Sequence, residues 1–272
     1  MTTSDDALPS PAVPDEARGG EGDSDSLWDQ VDFRRYMLSG FGSLAGSAVS
    51  SVAIPTLAAV QLGASSGQIA LLVFLGQLPA FVIALPAGAL ADRHRKRPLM
   101  ITGDLVCAAS VAVIPFSAAT GRLHMGTLYA VALLVGAARI VHDAATISYL
   151  PALVKPQLLH RANARLSGMF AVADGAGSNA GAALVGALGA ARAVTADAAS
   201  YLVSAWWTWR IRAPEQVQSA GPRRRLAADV WKGLTYAATH RVIRSVITAV
   251  SVASFAAAVT STYWPYYLLV PA

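Results

Sequence analysis

Six ionisable side chains, Asp104, Arg139, His142, Asp143, Asp174 and Asp197, stand inside stretches of sequence that are otherwise almost free of charge. On insertion scales a charged group at the centre of a hydrocarbon layer costs about 2.5–3.5 kcal/mol, so such groups face the interior of a helix bundle. At about 1.5 Å of rise per residue, Asp104 falls ~9 Å from the inner end of its helix, and Asp143 and Asp174 fall ~12–13 Å from theirs. Three carboxylates at similar depth are expected to share a proton or a cation. Arg139 and Asp143 are spaced to pair along one helix face, as residues i and i+4 do. The competing readings are a self-neutralising Arg139–Asp143 pair and a structural role for Asp104 beside the cytoplasmic loop. Asp197 is expected near the outer end of its helix, as a cap or loop contact. His142 has the one side chain that titrates unperturbed near pH 6.5, although a lone histidine there is also compatible with no role.

A second concentration of charge follows a long silence. From Tyr36 to Ala91, 56 residues contain no Asp, Glu, Lys, Arg or His, and then GALADRHRKRPLM, Gly88 to Met100, crowds Asp92, Arg93, His94, Arg95, Lys96 and Arg97 together. The chain as a whole is 54% hydrophobic and 14% charged, with mean hydropathy +0.47. A soluble domain averages about 25% charged residues. Runs of ~18 or more uncharged residues suit membrane spans, since about 20 helical residues cross a ~30 Å core. The 56-residue run fits two crossings broken at Gly63-Ala64-Ser65-Ser66-Gly67, a turn signal.

Seven helical spans are predicted, about 36–62, 68–91, 98–119, 125–150, 168–190, 193–211 and 243–270. Helices satisfy their own backbone in lipid, and the runs lack the alternation of barrel strands. With a cytoplasmic N-terminus, 18 of the 21 Lys and Arg fall on the inner side, and the outer loops hold only Arg122 and Arg192. Excess cations mark cytoplasmic loops, so the expected location is the plasma (inner) membrane, multi-pass, N-terminus inside. Trp206, Trp207 and Trp209 suit the inner interface; Tyr263, Trp264, Tyr266 and Tyr267 suit the outer one. The expected organisation is a disordered acidic tail over 1–30, a six-helix bundle over 31–212, a cytoplasmic linker over 213–242, and a seventh span over 243–272. Leu226, Val230 and Leu234 give that linker an amphipathic helix on the inner leaflet.

The net charge of +5 does not point to nucleic acid, because acids and bases are segregated along the chain. The partner is the lipid bilayer. The single cysteine, Cys107, excludes disulfides and zinc clusters. No metal-ligand spacing or phosphate-cradling glycine loop is present, so neither an enzyme nor a cofactor is implied.

Gly88-x-Leu90-Ala91-Asp92-Arg93, with Lys96-Arg97 and Met100, resembles the loop between helices two and three of the major facilitator superfamily, with Arg95 in place of the usual glycine. Leu150-Pro151-Ala152-Leu153-Val154 with Ala162-Asn163-Ala164, Asp197-Ala198-Ala199-Ser200-Tyr201, and Asp229 to Leu234 with His240 resemble segments of the branch holding the enterobactin exporter and the macrolide and multidrug efflux proteins. Gly177-Ser178-Asn179-Ala180-Gly181-Ala182 is similar to a degraded antiporter motif. The resemblance implies an all-α polytopic protein with a major-facilitator-type six-helix bundle, a seventh helix, and no second half. It implies gating roles for Gly88, Asp92, Arg93 and Arg97, with Gly88 permitting close packing. It also implies an exporter of a small hydrophobic compound, such as a drug or natural product, by proton antiport through Asp104, Arg139, Asp143 and Asp174. The alternative is a truncated, non-transporting protein or a half-transporter that needs a second chain. Phe255, Val259, Tyr263 and Tyr266 would then form an uncovered face of the seventh helix.

Overall fold

The computed structural model describes Leu27 and residues 30–213 and 226–269, with the side chains of 226–230, Lys232, Leu234, Phe255 and 257–269 outside that description. Eight α-helices follow in order: α1 Val31–Gln61, α2 Ser66–Arg93, α3 Lys96–Ala119, α4 Met125–Leu153, α5 Leu159–Leu188, α6 Ala190–Arg210, α7 Leu226–Thr239 and α8 Arg241–Leu269. The acidic tail, the aromatic cluster at Tyr263–Tyr267 and the proposed face on α8 lie outside the residues or side chains described, as do Leu226, Val230 and Leu234 of the amphipathic stripe.

The predicted turn after the first span is confirmed in detail. Gly63 turns the chain with φ +60°, a region open to glycine at no steric cost. Ser65 then caps α2: its hydroxyl accepts the Gln68 N–H at 3.3 Å, and the Gln68 side chain accepts the Ser65 N–H at 2.9 Å. This reciprocal box satisfies two otherwise orphaned donors. Helix α5 begins at Leu159, nine residues before the predicted start at 168, because its first turns carry Arg161 and Arg165 and the expectation was built on uncharged runs alone.

Helices α1 to α4 are long and apolar enough to cross a bilayer by length and composition. Helices α5 and α6, with 30 and 21 residues, have the length but carry the glycines and charges that dilute hydropathy. Even 21 residues span about 31 Å. Pro55, Pro79, Pro86, Pro115 and Pro151 all sit within helices, which membrane bundles tolerate because neighbours re-satisfy the freed carbonyls.

Packing sets the helices in the spatial order α5–α1–α6–α3–α4–α2, with α1 on α5 and α6, α3 on α6 and α4, and α2 on α4. The α1–α5 contact depends on small residues. A Cβ on Gly177 would stand 2.7 Å from the Ala48 Cβ, and one on Gly181 would stand 2.8 Å from the Val49 Cα, so the backbones approach as small-residue membrane interfaces allow. Gly175 and Gly186 of the same helix face open space. Helix α7 touches α2, and α8 follows on α7.

Two apolar clusters fill the bundle. One gathers Leu57, Val111, Ile114, Leu128 and Val194; the other gathers Phe33, Met100, Tyr149, Leu150 and Ile211. Along α1, α3, α4 and α6 the residues between these clusters are polar: Ser39, Asp104, His142, Ser204 and Thr208, all buried. The core is therefore two hydrocarbon blocks with a polar layer between them.

Candidate functional site

The polar layer is a continuous chain of contacts. Ser39 of α1 meets Ser204 and Thr208 of α6, oxygen to oxygen, at 2.9 and 2.7 Å. The Ser204 hydroxyl donates to Asp104 Oδ2 of α3 at 2.6 Å. Asp104 Oδ1 lies 3.5 Å from His142 Nε2 on α4, and His142 Nδ1 lies 3.2 Å from Asp143 Oδ1. Asp143 Oδ2 is then 3.8 Å from Arg139 Nε. Exposure rises along this path, from 1% at Asp104 and 10% at His142 to 51% at Asp143 for the side chains. Buried polar atoms in a bundle core must find partners or cost on the order of 1–3 kcal/mol each, and here four helices supply them for the layer's side chains except at His142 Nε2, which makes no hydrogen bond.

Glycine makes the central contact possible. A Cβ on Gly103 would come within 2.9 Å of the His142 Cβ and 3.4 Å of the Ala138 carbonyl oxygen. Gly103, one residue before Asp104, thus lets α4 bring its imidazole onto the α3 carboxylate.

Arg139 also faces a cavity of about 520 Å³ between α1, α4 and α5, lined by Leu44, Ser47, Ser51, Phe170 and Asp174 among others. Ser47 is held there by the Tyr201 hydroxyl of α6 at 2.9 Å. The Asp174 carboxylate has no ion pair or hydrogen bond among the described residues. The cavity mixes an aromatic ring, aliphatic side chains, two serines and two opposite charges.

The four predicted pathway residues are thus divided. Arg139 pairs with Asp143 as spacing foretold, and Asp174 shares the cavity with Arg139. Asp104 stands apart, behind His142 in the buried layer, so the three carboxylates do not line one cavity. Similar depth along three helices did not specify which way each helix was rotated. Asp197 is also corrected. It is buried at 2% exposure a full two turns into α6, where a Cβ on Gly46 of α1 would stand 2.8 Å from its Oδ1. The residue capping that helix is Gly189.

At the other end, the α2–α3 loop is a tight turn at His94 and Arg95. Arg97 donates to the carbonyls of Thr208, at 3.2 Å, and Trp209. Arg35 donates to the Arg210 carbonyl at 2.7 Å and to Asp32 at 2.9 Å. Two arginines therefore occupy the orphaned carbonyls at the α6 C-terminus, where the helix dipole favours cations. Arg210 lies 4.8 Å over the Trp206 ring, a cation–π contact. Asp92 is exposed and makes no hydrogen bond or ion pair among the described residues. A Cβ on Gly88 would meet nothing within 4 Å, so close packing within this bundle is not what Gly88 provides.

The sequence left His142 between a pH-sensing role and none, and it did not point to Ser39, Ser47, Ser204 or Thr208. One signal was present. Asp197, Tyr201, Ser204 and Thr208 recur on α6 at helical spacing, a polar stripe on one face.

A multi-pass helical bundle with a charged cavity and a buried polar layer is the architecture of a membrane transporter of the major facilitator type. A family model described as transmembrane secretion effector, within that superfamily, matches residues 27–267. The chain belongs to this family. No curated protein and no solved structure matches it.

Proposed function

We propose that this chain forms one wall of a proton-driven exporter of a small, largely apolar compound, and that it falls in the branch resembling the enterobactin exporter and macrolide-efflux proteins. The observation that carries this reading is the cavity between α1, α4 and α5. It sets Phe170 and Leu44, which suit an apolar solute, beside Arg139 and Asp174, with Arg139 paired to Asp143. Charge at membrane depth is costly and marks ion or substrate pathways. Substrates of this kind include drugs and natural products, so self-resistance in a producer or general antibiotic resistance are both natural roles. No cofactor is called for.

Residues 31–212 act as the six-helix unit, 213–242 as a linker and 243–272 as a seventh crossing. Gly88, Asp92, Arg93 and Arg97 gate the cytoplasmic face of the plasma membrane. Asp92, exposed and without a partner in this bundle, acts on a surface opposite it. Alternating access needs two bundles rocking around a shared site, so a second bundle, from the same or another polypeptide, closes the cavity.

The test is efflux of erythromycin from vesicles made from cells carrying the gene in its own chromosomal setting. Collapsing the pH gradient should stop it. Export indifferent to the gradient would overturn proton coupling. The orientation is read from Arg95→Cys, which should react with a membrane-impermeant maleimide only after the cytoplasmic face is opened, while the buried Cys107 stays unlabelled.

A further inference from the structure

We propose that His142 relays protons between Asp143, beside the cavity, and Asp104, inside the buried polar layer, so that Asp104 rather than a cavity carboxylate is where the transported proton is held. The proposal rests on the proton-driven reading above and names the residue through which that proton moves.

The geometry is specific. His142 is 8% exposed, and each of its ring nitrogens faces a different carboxylate. Nδ1 is within hydrogen-bond reach of Asp143 Oδ1 at 3.2 Å, while Nε2 stands 3.5 Å from Asp104 Oδ1 without a completed hydrogen bond. A charge-assisted N–H···O bond closes to about 2.7–2.9 Å. A movement of under ~1 Å therefore completes the link to Asp104. That is the difference between an interrupted and a connected path.

The charged and titratable groups around the ring are few. From α3 comes Asp104; from α4 come Asp143 and Arg139. From α1 the Tyr36 hydroxyl is already committed, donating to the Thr146 carbonyl at 3.1 Å. On α3, Cys107 points its thiol at the Val135 carbonyl, 3.9 Å away. Of these, only the two carboxylates contact the ring.

The step balances without any other reactant. Asp143 enters as the carboxylic acid, His142 is neutral with its hydrogen on Nε2, and Asp104 is ionised. Asp143 passes its proton to Nδ1, giving an imidazolium between two carboxylates. Nε2 then gives its proton to Asp104 Oδ1, leaving His142 neutral with hydrogen on Nδ1. One proton has moved from Asp143 to Asp104, and the total charge is unchanged. Reversal restores the first tautomer. Ser204 donates to Oδ2, the other oxygen, so it stabilises either form of Asp104 without having to turn. Arg139 lies 3.8 Å from Asp143.

The experiment follows the proton directly, in the chain in lipid vesicles, by time-resolved infrared spectroscopy after a pH jump. The Asp104 carboxyl band is identified by its loss in D104N. In H142Q its protonation should slow about 100-fold, the low end of what a positioned proton-transfer group contributes. H142A should be as slow and should recover part of the rate when imidazole is added, a rescue that a purely structural histidine does not give. Since imidazole is compared on the same variant, misfolding cannot imitate the result. An unchanged rate in H142Q, no recovery with imidazole, or an Asp104 band that never responds to pH would each overturn the relay. The efflux assay is separate: loss of gradient-driven export overturns the exporter reading, whereas the infrared rates judge His142 alone.

Discussion

Asp92 and Asp104 flank the same short turn, one at the end of α2 and the other early in α3, and their surroundings are opposite. Asp104 is 1% exposed, with Ser204 at 2.6 Å and His142 at 3.5 Å. Asp92 is exposed and has no partner among the described residues. The difference separates two kinds of acid in a membrane bundle. Asp104 has its contacts inside the six helices, so its removal should be felt in folding whether or not anything opposes the bundle. Asp92 has none within the bundle, so its removal should be felt only when something opposes it.

The largest effect expected is at the buried acid. Asp104→Leu leaves the Ser204 hydroxyl and the His142 ring without their partner. It should lower stability by about 2–6 kcal/mol, the sum of two buried polar groups losing a partner at about 1–3 kcal/mol each, read by thermal unfolding in detergent. A variant as stable as the parent would mean that the polar layer is water-filled.

Next comes the contact that aligns the cavity wall. Gly181→Val places branched carbon against the Val49 backbone and should cost about 1–3 kcal/mol, as overpacking does. Gly175→Val, which meets open space, should be near neutral. Equal losses would show that α5 senses glycine count rather than the α1 contact.

Arg97→Ala should come third, at about 1 kcal/mol from the lost hydrogen bonds to α6 carbonyls. Its signature is faster hydrogen exchange at the last turn of α6, because the carbonyls of Thr208 and Trp209 lose their donor.

Asp92→Asn should have the smallest effect on stability, within about 0.5 kcal/mol as for an exposed site, and yet reduce export more than Lys96→Gln does. Equal losses of export at equal membrane abundance would reduce the loop to a topology signal and erase the contrast with Asp104.

Sequence alone went far with this chain because lipid is a demanding solvent. Long uncharged runs must be helices, since hydrocarbon offers the backbone no other partner. The helices from Val31 to Arg210 therefore overlap each predicted span, although α1 and α5 start five and nine residues early, and the Gly63–Gly67 break became a turn with a capped helix after it. The i, i+4 spacing of Arg139 and Asp143 needed only one helix to be read, and the structure pairs them at 3.8 Å. Where sequence stopped was at rotation and neighbour. Nothing in hydropathy says that α6 wedges between α1 and α3, or that Gly103 lets His142 reach Asp104. Only the packed bundle decided that Asp174 joins Arg139 in a cavity while Asp104 sits behind a histidine in a buried layer, because those contacts join helices far apart in sequence and depend on which small residues let two backbones meet.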